Sequence, residues 1–335
     1  MKKITIIVAL HCFLSFTLIA QNGINSGAAN FLDINPSPAS VSLGGVGTAV
    51  QSGIFSSLNN PALAVFEKGI GGIGYSYTPW MKQYDAKTLH SAALSWKIGD
   101  KGRISGGFRH FSHQNGTHIS DANGNITDSF SPKEWSAEVG YSMSLSANFS
   151  AGLTARWINS NMGSYDALKR GGTLAVDLGV LYHTNIASMS DSKLSFGLMA
   201  SNLGGKISYS ENGAENDLPS KIKVGGSLDV FLSEEHSVLL AIDAGYRLLP
   251  SDISSIETGL GVQYAFKNMI MIRGGYHIGD KEKSYGSYAS IGLGVDIFDI
   301  KCDFSYLLAS KPSVLNNIWQ IAIGFNFGIF SKKSQ

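Results

Sequence analysis

Three short stretches of this 335-residue chain carry residue types that chemistry uses. Gly44-Gly-Val-Gly47 is glycine-rich, as phosphate-cradling loops are. It lacks the following Gly-Lys-Ser/Thr and any preceding strand in a βαβ pattern, so a backbone turn is the expected role. His110, His113 and His118 are metal-ligand types close in sequence. On a strand, residues three apart point to opposite faces, so His110 and His113 are not expected to share a metal. Asp121-Ala-Asn-Gly-Asn-Ile-Thr-Asp128 has half the oxygens of a calcium loop but not the distal Glu that closes one. Turn residues in an exposed hairpin account for it. No nucleophile, base and oxyanion donor are grouped anywhere. The expectation is therefore no enzyme, no metal and no cofactor.

The elements around these stretches have a period of two. The last one, Ile321-Ala-Ile-Gly-Phe-Asn-Phe-Gly-Ile329, places Ile321, Ile323, Phe325, Phe327 and Ile329 on one side. Ala322, Gly324, Asn326 and Gly328 occupy the other. Recurrence of this dyad from about residue 69 implies an all-β, antiparallel transmembrane barrel with lipid outside and a polar lumen. Only 15% of residues are charged, and there are 39 glycines. About 25% charge is usual for soluble proteins. Alternation and turn signals give about fourteen strands, near 69–79, 89–99, 103–113, 134–144, 148–160, 172–184, 192–203, 220–231, 236–247, 254–266, 268–278, 287–297, 299–309 and 318–329.

Ahead of the strands, residues 1–20 read as a secretory signal: Lys2 and Lys3, then an apolar run to Ala20, with cleavage near Ala20–Gln21. Residues 21–68 lack alternation and are expected to form a small N-terminal plug or hatch, with short helical turns around Asn60 and Pro61. The barrel would span 69–330, leaving 331–335 as a tail. Losing Lys2 and Lys3 from 26 basic residues leaves them one short of the 25 acidic ones, which gives no electrostatic case for nucleic acid.

Connections alternate between long and short, the pattern of outer loops and periplasmic turns, with Asn185–Asp191 the main exception. The even strand count lets both termini lie on the periplasmic side. Lys97, Arg156, Asp177, Lys223, Asp229, Asp243, Arg247, Glu257, Arg273 and Asp296 fall on the lumen face, and their mixed signs point to mutual neutralisation. Tyr75, Tyr77, Trp80, Trp96, Trp135, Trp157 and Trp319 lie near strand ends, as interfacial girdles do.

Ser42-Leu-Gly-Gly-Val-Gly-Thr-Ala-Val50 and Leu58-Asn-Asn-Pro-Ala-Leu63 resemble the Gly-rich stretch and Asn-Pro-Ala element of FadL-like fatty-acid transporters. Tyr75-Ser-Tyr-Thr-Pro-Trp80, Arg109-His-Phe-Ser112, Asp121-Ala-Asn-Gly-Asn125, Ser131-Pro-Lys-Glu-Trp135 and Asn148-Phe-Ser-Ala-Gly-Leu153, continuing to Arg156, look like the PorV/PorQ family of the type IX secretion system. The Ser-Tyr-Thr-Pro-Trp run favours the PorV side. PorV proteins carry Asp-Ala-Arg ahead of the Gly run where this chain has Ser37-Pro-Ala-Ser-Val41, so a main PorV and a paralogue both stay open.

The resemblance implies a FadL-like barrel of fourteen strands with no covalent chemistry. Its partners would be the translocon barrel and cargo ending in a C-terminal sorting domain, carried from translocon to attachment complex. The expected contact surface is the outer loops Thr78–Lys87, Gln114–Lys133 and Asn161–Lys169, with Trp80, Tyr84, Phe130 and Tyr165 as anchors. Gly44, Gly45, Gly47, Asn60 and Pro61 would form the plug motif. The alternative is an outer-membrane transporter of hydrophobic small molecules, which would need an apolar pocket continuous from loops to lumen.

Overall fold

The computed structural model describes residues 27–328 except 82–86, 114–116, 121, 122, 124, 164–168, 187–191, 212, 311 and 312. The signal segment, the tail, Tyr84, Tyr165 and Asp121, Ala122 and Gly124 of the calcium-like stretch therefore lie outside the described residues.

Fourteen antiparallel strands close into a barrel. In chain order the first strands are β1 (Gly71–Trp80), β2 (Lys87–Ile98) and β3 (Gly102–His113). A two-stranded hairpin, β4 (Thr117–Ser120) and β5 (Ile126–Phe130), stands apart from the wall. The wall continues through β6 (Lys133–Ser144), β7 (Phe149–Asn161), β8 (Gly171–Asn185) and β9 (Lys193–Gly204). A second hairpin, β10 (Ile207–Ser208) with β11 (Glu215–Asn216), precedes β12 (Lys221–Phe231), β13 (His236–Arg247) and β14 (Ile256–Phe266). The last four are β15 (Ile270–Ile278), β16 (Tyr288–Ile297), β17 (Ile300–Leu308) and β18 (Trp319–Phe327), which pairs with β1 from Gly71↔Phe327 to Tyr77↔Ile321. Each wall strand lies within two residues of its expected bounds.

The period-two pattern sorts the faces. Ile73, Leu94, Phe108, Val139, Leu174, Leu198, Ile242, Ile272, Leu293 and Ile323 are all exposed, because outward means toward lipid. Inward positions instead carry buried Ser76, Ser91, Ser105, Ser136, Ser227, Ser290 and Ser305. Short turns gather at the end where β1 starts and β18 finishes, and long connections lie at the other end, the β8–β9 connection being the exception. The long-loop end is therefore the outer one.

Residues 27–66 run down the inside of this wall. Gly27 sits at the outer end, where Ala28 donates its N–H to the Asp217 carbonyl at 2.9 Å. Phe66 sits at the turn end, edge-on to His183 at 4.8 Å. In between are single turns of helix, Pro38–Val41, Gly53–Phe55, Ser56–Asn59 and Pro61–Phe66. Asn60 caps the last, accepting the Ala62 N–H at 3.0 Å, while Pro61 starts it with its missing donor. Both ends of the wall lie on the turn side, as expected, but the first described residue is at the opposite end.

Lumen glycines make this passage possible. A Cβ on Gly275 would lie 2.1 Å from the Gly44 nitrogen, and one on Gly197 would lie 2.2 Å from the Thr48 carbonyl oxygen. Gly44 itself has φ +74°, and a Cβ there would meet the carbonyl oxygens of Tyr276 and Leu260 at 2.6 and 2.7 Å. Backbone packs on backbone, which only glycine permits. Gly274, one residue away and facing lipid, has nothing nearer than 4.0 Å. Gly275→Val is accordingly expected to cost about 1–3 kcal/mol or displace the segment, whereas Gly274→Val is silent. The midpoint of heat-modifiable gel migration measures both.

Candidate partner-binding mouth and the charged layer beneath it

Apolar residues of the N-terminal segment meet the loop ends of the strands at the outer mouth. Phe31, Leu32 and Ile34 pack into one buried cluster with Trp80, Leu89, Phe111, Ile158, Leu218, Leu307 and Leu315. Phe31 stacks on Phe111 with ring centres 6.1 Å apart, and Trp80 meets Tyr285 edge-on at 5.4 Å. A cavity of about 310 Å³ opens here between Phe31, Trp80, Met81, Phe111, Tyr209 and Met162, with Lys87 and Glu134 on its polar side. Glu134 is held by the Ser160 hydroxyl at 2.7 Å, and that hydroxyl lies 2.9 Å from the Tyr209 oxygen.

Charge closes the cavity from below. Asp33 takes Lys221 at 3.1 Å and Arg247 at 2.5 Å, and Glu257 takes the same Lys221 at 3.0 Å. Burial pushes the Asp33 carboxyl up, but the facing Arg247 and Lys221 outweigh it and hold the group below its ordinary range. Beside this set, Arg156 bonds to Glu138, to Asn202 and, at 2.7 Å, to Asp177. Arg109 donates to the Leu32 carbonyl at 3.3 Å. Asn202 occupies a bulge between β8 and β9 with φ 56°, its N–H 2.6 Å from the Asp177 carboxylate. Of the mixed lumen charges, Arg156, Asp177, Arg247, Glu257 and Arg273 are thus ion-paired, as their signs implied. Cavities of about 70 and 90 Å³ within this layer are lined largely by these polar groups. Buried ions of this kind are costly to strip of a partner, about 3–5 kcal/mol each.

Further in, Asp243 accepts the Gly47 N–H at 2.9 Å, the Thr48 N–H at 3.0 Å and the Thr48 hydroxyl at 2.7 Å. Ser290 accepts the Gly44 N–H, and Asn60 donates to the carbonyls of Thr48 and Val180. At the inner end Arg103 donates to the Glu67 and Gly69 carbonyls at 2.9 and 2.8 Å, while Ser95 donates to the Glu67 carboxyl. Burial dominates at Glu67 and pushes its pKa up to about 8 despite Ser95 and Arg103.

The residues named from sequence are distributed as follows. Gly44, Gly45, Gly47, Asn60 and Pro61 all lie in the lumen passage, against the wall, with no phosphate-loop geometry. Trp80 is buried at 5% exposure and lines the mouth cavity. Phe130, at the foot of the β4–β5 hairpin, lies against Gly163. His110 faces outward beside His90, whereas His113 lines the mouth cavity. Among the described residues no three His, Cys, Asp or Glu side chains converge on a metal position. Tyr75, Tyr77, Trp96, Trp135, Trp157 and Trp319 face outward, so Trp80 departs from the seven-residue girdle set. Arg103, Arg109, Glu134, Glu138 and Asp303 were not anticipated, yet Arg103, Arg109 and Ser105 share one parity, as do Glu134, Ser136 and Glu138. That shared parity was readable. Asp33 and Glu67 carry no such signal, since they lie outside the strands.

Comparison with known proteins adds the following. The family model "Type IX secretion system protein PorV" matches residues 19–254. No curated protein matches the chain by sequence. Among solved structures, the Ralstonia pickettii toluene transporter TbuX is 14% identical, with TM-score 0.57 over 86% of this chain and 97% of its own. The Pseudomonas putida toluene transporter TodX is 13% identical, with TM-score 0.57 over 87% of this chain and 98% of its own. At these identities they establish the shared barrel fold.

The Glu67 pocket yields a pH prediction. A carboxyl raised from 4.5 to about 8 favours the folded state below pH 4.5, and that contribution is lost as pH rises toward 8. Glu67→Gln should therefore flatten the fall in unfolding temperature between about pH 5 and 8, measured in detergent by intrinsic fluorescence.

Proposed function

This chain belongs to the PorV family of type IX secretion proteins, and from that premise we propose that it is a non-enzymatic outer-membrane carrier. In this reading its outer mouth binds the sorting domain of secreted cargo and passes cargo from the translocon barrel to the attachment complex. The observation that carries the reading is the layered lumen. An apolar, aromatic mouth sits directly on a floor of paired charges, and residues 27–66, which supply Phe31, Leu32 and Asp33 to these layers, would act as a plug. Such a mouth suits the docking of a protein surface, where aromatic anchors fill apolar pockets. Trp80 would contribute through the cavity it lines and Phe130 through the β4–β5 hairpin, with Tyr84 and Tyr165 as further anchors.

Transport of hydrophobic small molecules is the second reading. The aromatic-lined cavity of about 310 Å³ and the fold shared with toluene transporters favour it. The charged floor weighs against it, since an apolar solute would have to cross Asp33, Lys221, Arg247 and Glu257.

Replacing residues 114–132 by a short Gly-Ser turn, and separately 162–169, tests the carrier reading. The barrel should keep its heat-modifiable migration while cargo with sorting domains fails to reach the surface. Unchanged secretion and attachment in both variants would remove the reading.

A further inference from the structure

Among the described residues of the fourteen wall strands, outward positions hold no Asp, Glu or Arg, and Lys133 is their one lysine. It does not stand alone. Outward His110 lies on the neighbouring β3, where Ser112 is opposite Lys133 and His110 opposite Trp135. Outward His90 on β2 is opposite His110, with ring centres 6.3 Å apart. The third outward histidine, His236, is at the inner end and pairs with Tyr264 at 2.6 Å.

The level of this cluster matters. Tyr77 packs against His90 at 5.2 Å and against Trp319 at 5.6 Å, and Trp135 packs against Trp157 at 6.2 Å. These rings form the outer aromatic girdle, which marks the membrane–water boundary. Lys133 stands two residues above Trp135, about 7 Å along the strand, where headgroups lie. Tyr75 Oη is 2.6 Å from His90 Nδ1. With the hydroxyl donating, the ring proton resides on Nε2 and points outward. Thr88 and Ser112, their hydroxyls 3.0 Å apart, add further polar groups between the two strands.

A wall that excludes charge everywhere else and gathers donors here is built for a ligand on the lipid side. At headgroup level a lysine ammonium is tolerated and can meet lipid phosphate directly. The outer leaflet supplies one chemistry that fits: a phosphate for the cation and imidazole donors, on a sugar that can lie against aromatic faces. We propose that His90, His110 and Lys133 bind a phosphate of a phosphorylated glycolipid of the outer leaflet, with the adjoining girdle rings against its sugar. The site faces lipid, on the opposite side of the wall from the mouth cavity that Glu134 lines.

Native mass spectrometry of the full-length barrel in mild detergent, titrated with bis-phosphorylated lipid A, tests this. Wild type and the His236→Gln control should bind alike. Lys133→Gln should weaken binding about fivefold, with a further loss on adding His110→Gln, and dephosphorylated lipid A should bind no better to wild type than to the variants. Equal binding by all variants, or equal binding of phosphatidylglycerol to wild type, would overturn the assignment. A photo-crosslinking residue in place of Ser112 leaves the cluster's charge intact. In intact outer membranes it should capture lipid A; capture of a protein instead would refute the lipid site.

Discussion

Close contact between two stretches of backbone underlies this structure. Leu43 and Gly44 rest on Gly261 and Gly275 with no room for a Cβ between them. Thr48 does the same on Gly197 and Gly225, and Pro61 on Gly152. A fourteen-stranded wall encloses more space than serine and glycine side chains fill. Here that space is taken by residues 27–66, whose polar backbone groups find partners on Asp243, Ser290, Ser227 and Ser150. The small inward residues are therefore a mould rather than a channel lining.

That passage also explains where charge sits. The segment brings Asp33 between Lys221 and Arg247, and Glu67 against Arg103. Wall cations at the outer side are thus paired through Asp33, just beneath the apolar cluster around Phe31 and Trp80. At the inner side Arg103 is held chiefly by the Glu67 and Gly69 carbonyls. Leu32 and Asp33 link the two layers, Leu32 packing in the apolar cluster and Asp33 pairing with Lys221 and Arg247.

Much of this was legible in the sequence because strand parity is an unforgiving signal. Leu174, Val176, Leu178 and Val180 against Ala175, Asp177 and Gly179 allow one register and one face toward lipid. The alternation of long and short connections then orients the barrel. Parity gave no warning of the bulge at Asn202, which needs φ 56° and the Asp177 carboxylate to hold it. Parity did set Trp80 with inward Ser76 and Thr78, against outward Tyr75 and Tyr77, but its position at a strand end points to a girdle. The direction taken by residues 27–66 was hidden for a different reason: it is set by contacts with wall glycines, most of them distant in sequence, to which no local periodicity points.

The central claim is that the mouth engages protein above a closed lumen. Affinity purification of the tagged chain from native outer membranes in mild detergent, with mass spectrometry of what accompanies it, tests this directly. Recovery of a large translocon barrel, or of proteins ending in a common C-terminal sorting domain, is the expected result. A barrel that emerges free of protein partners and loaded with an apolar small molecule in its mouth would contradict it.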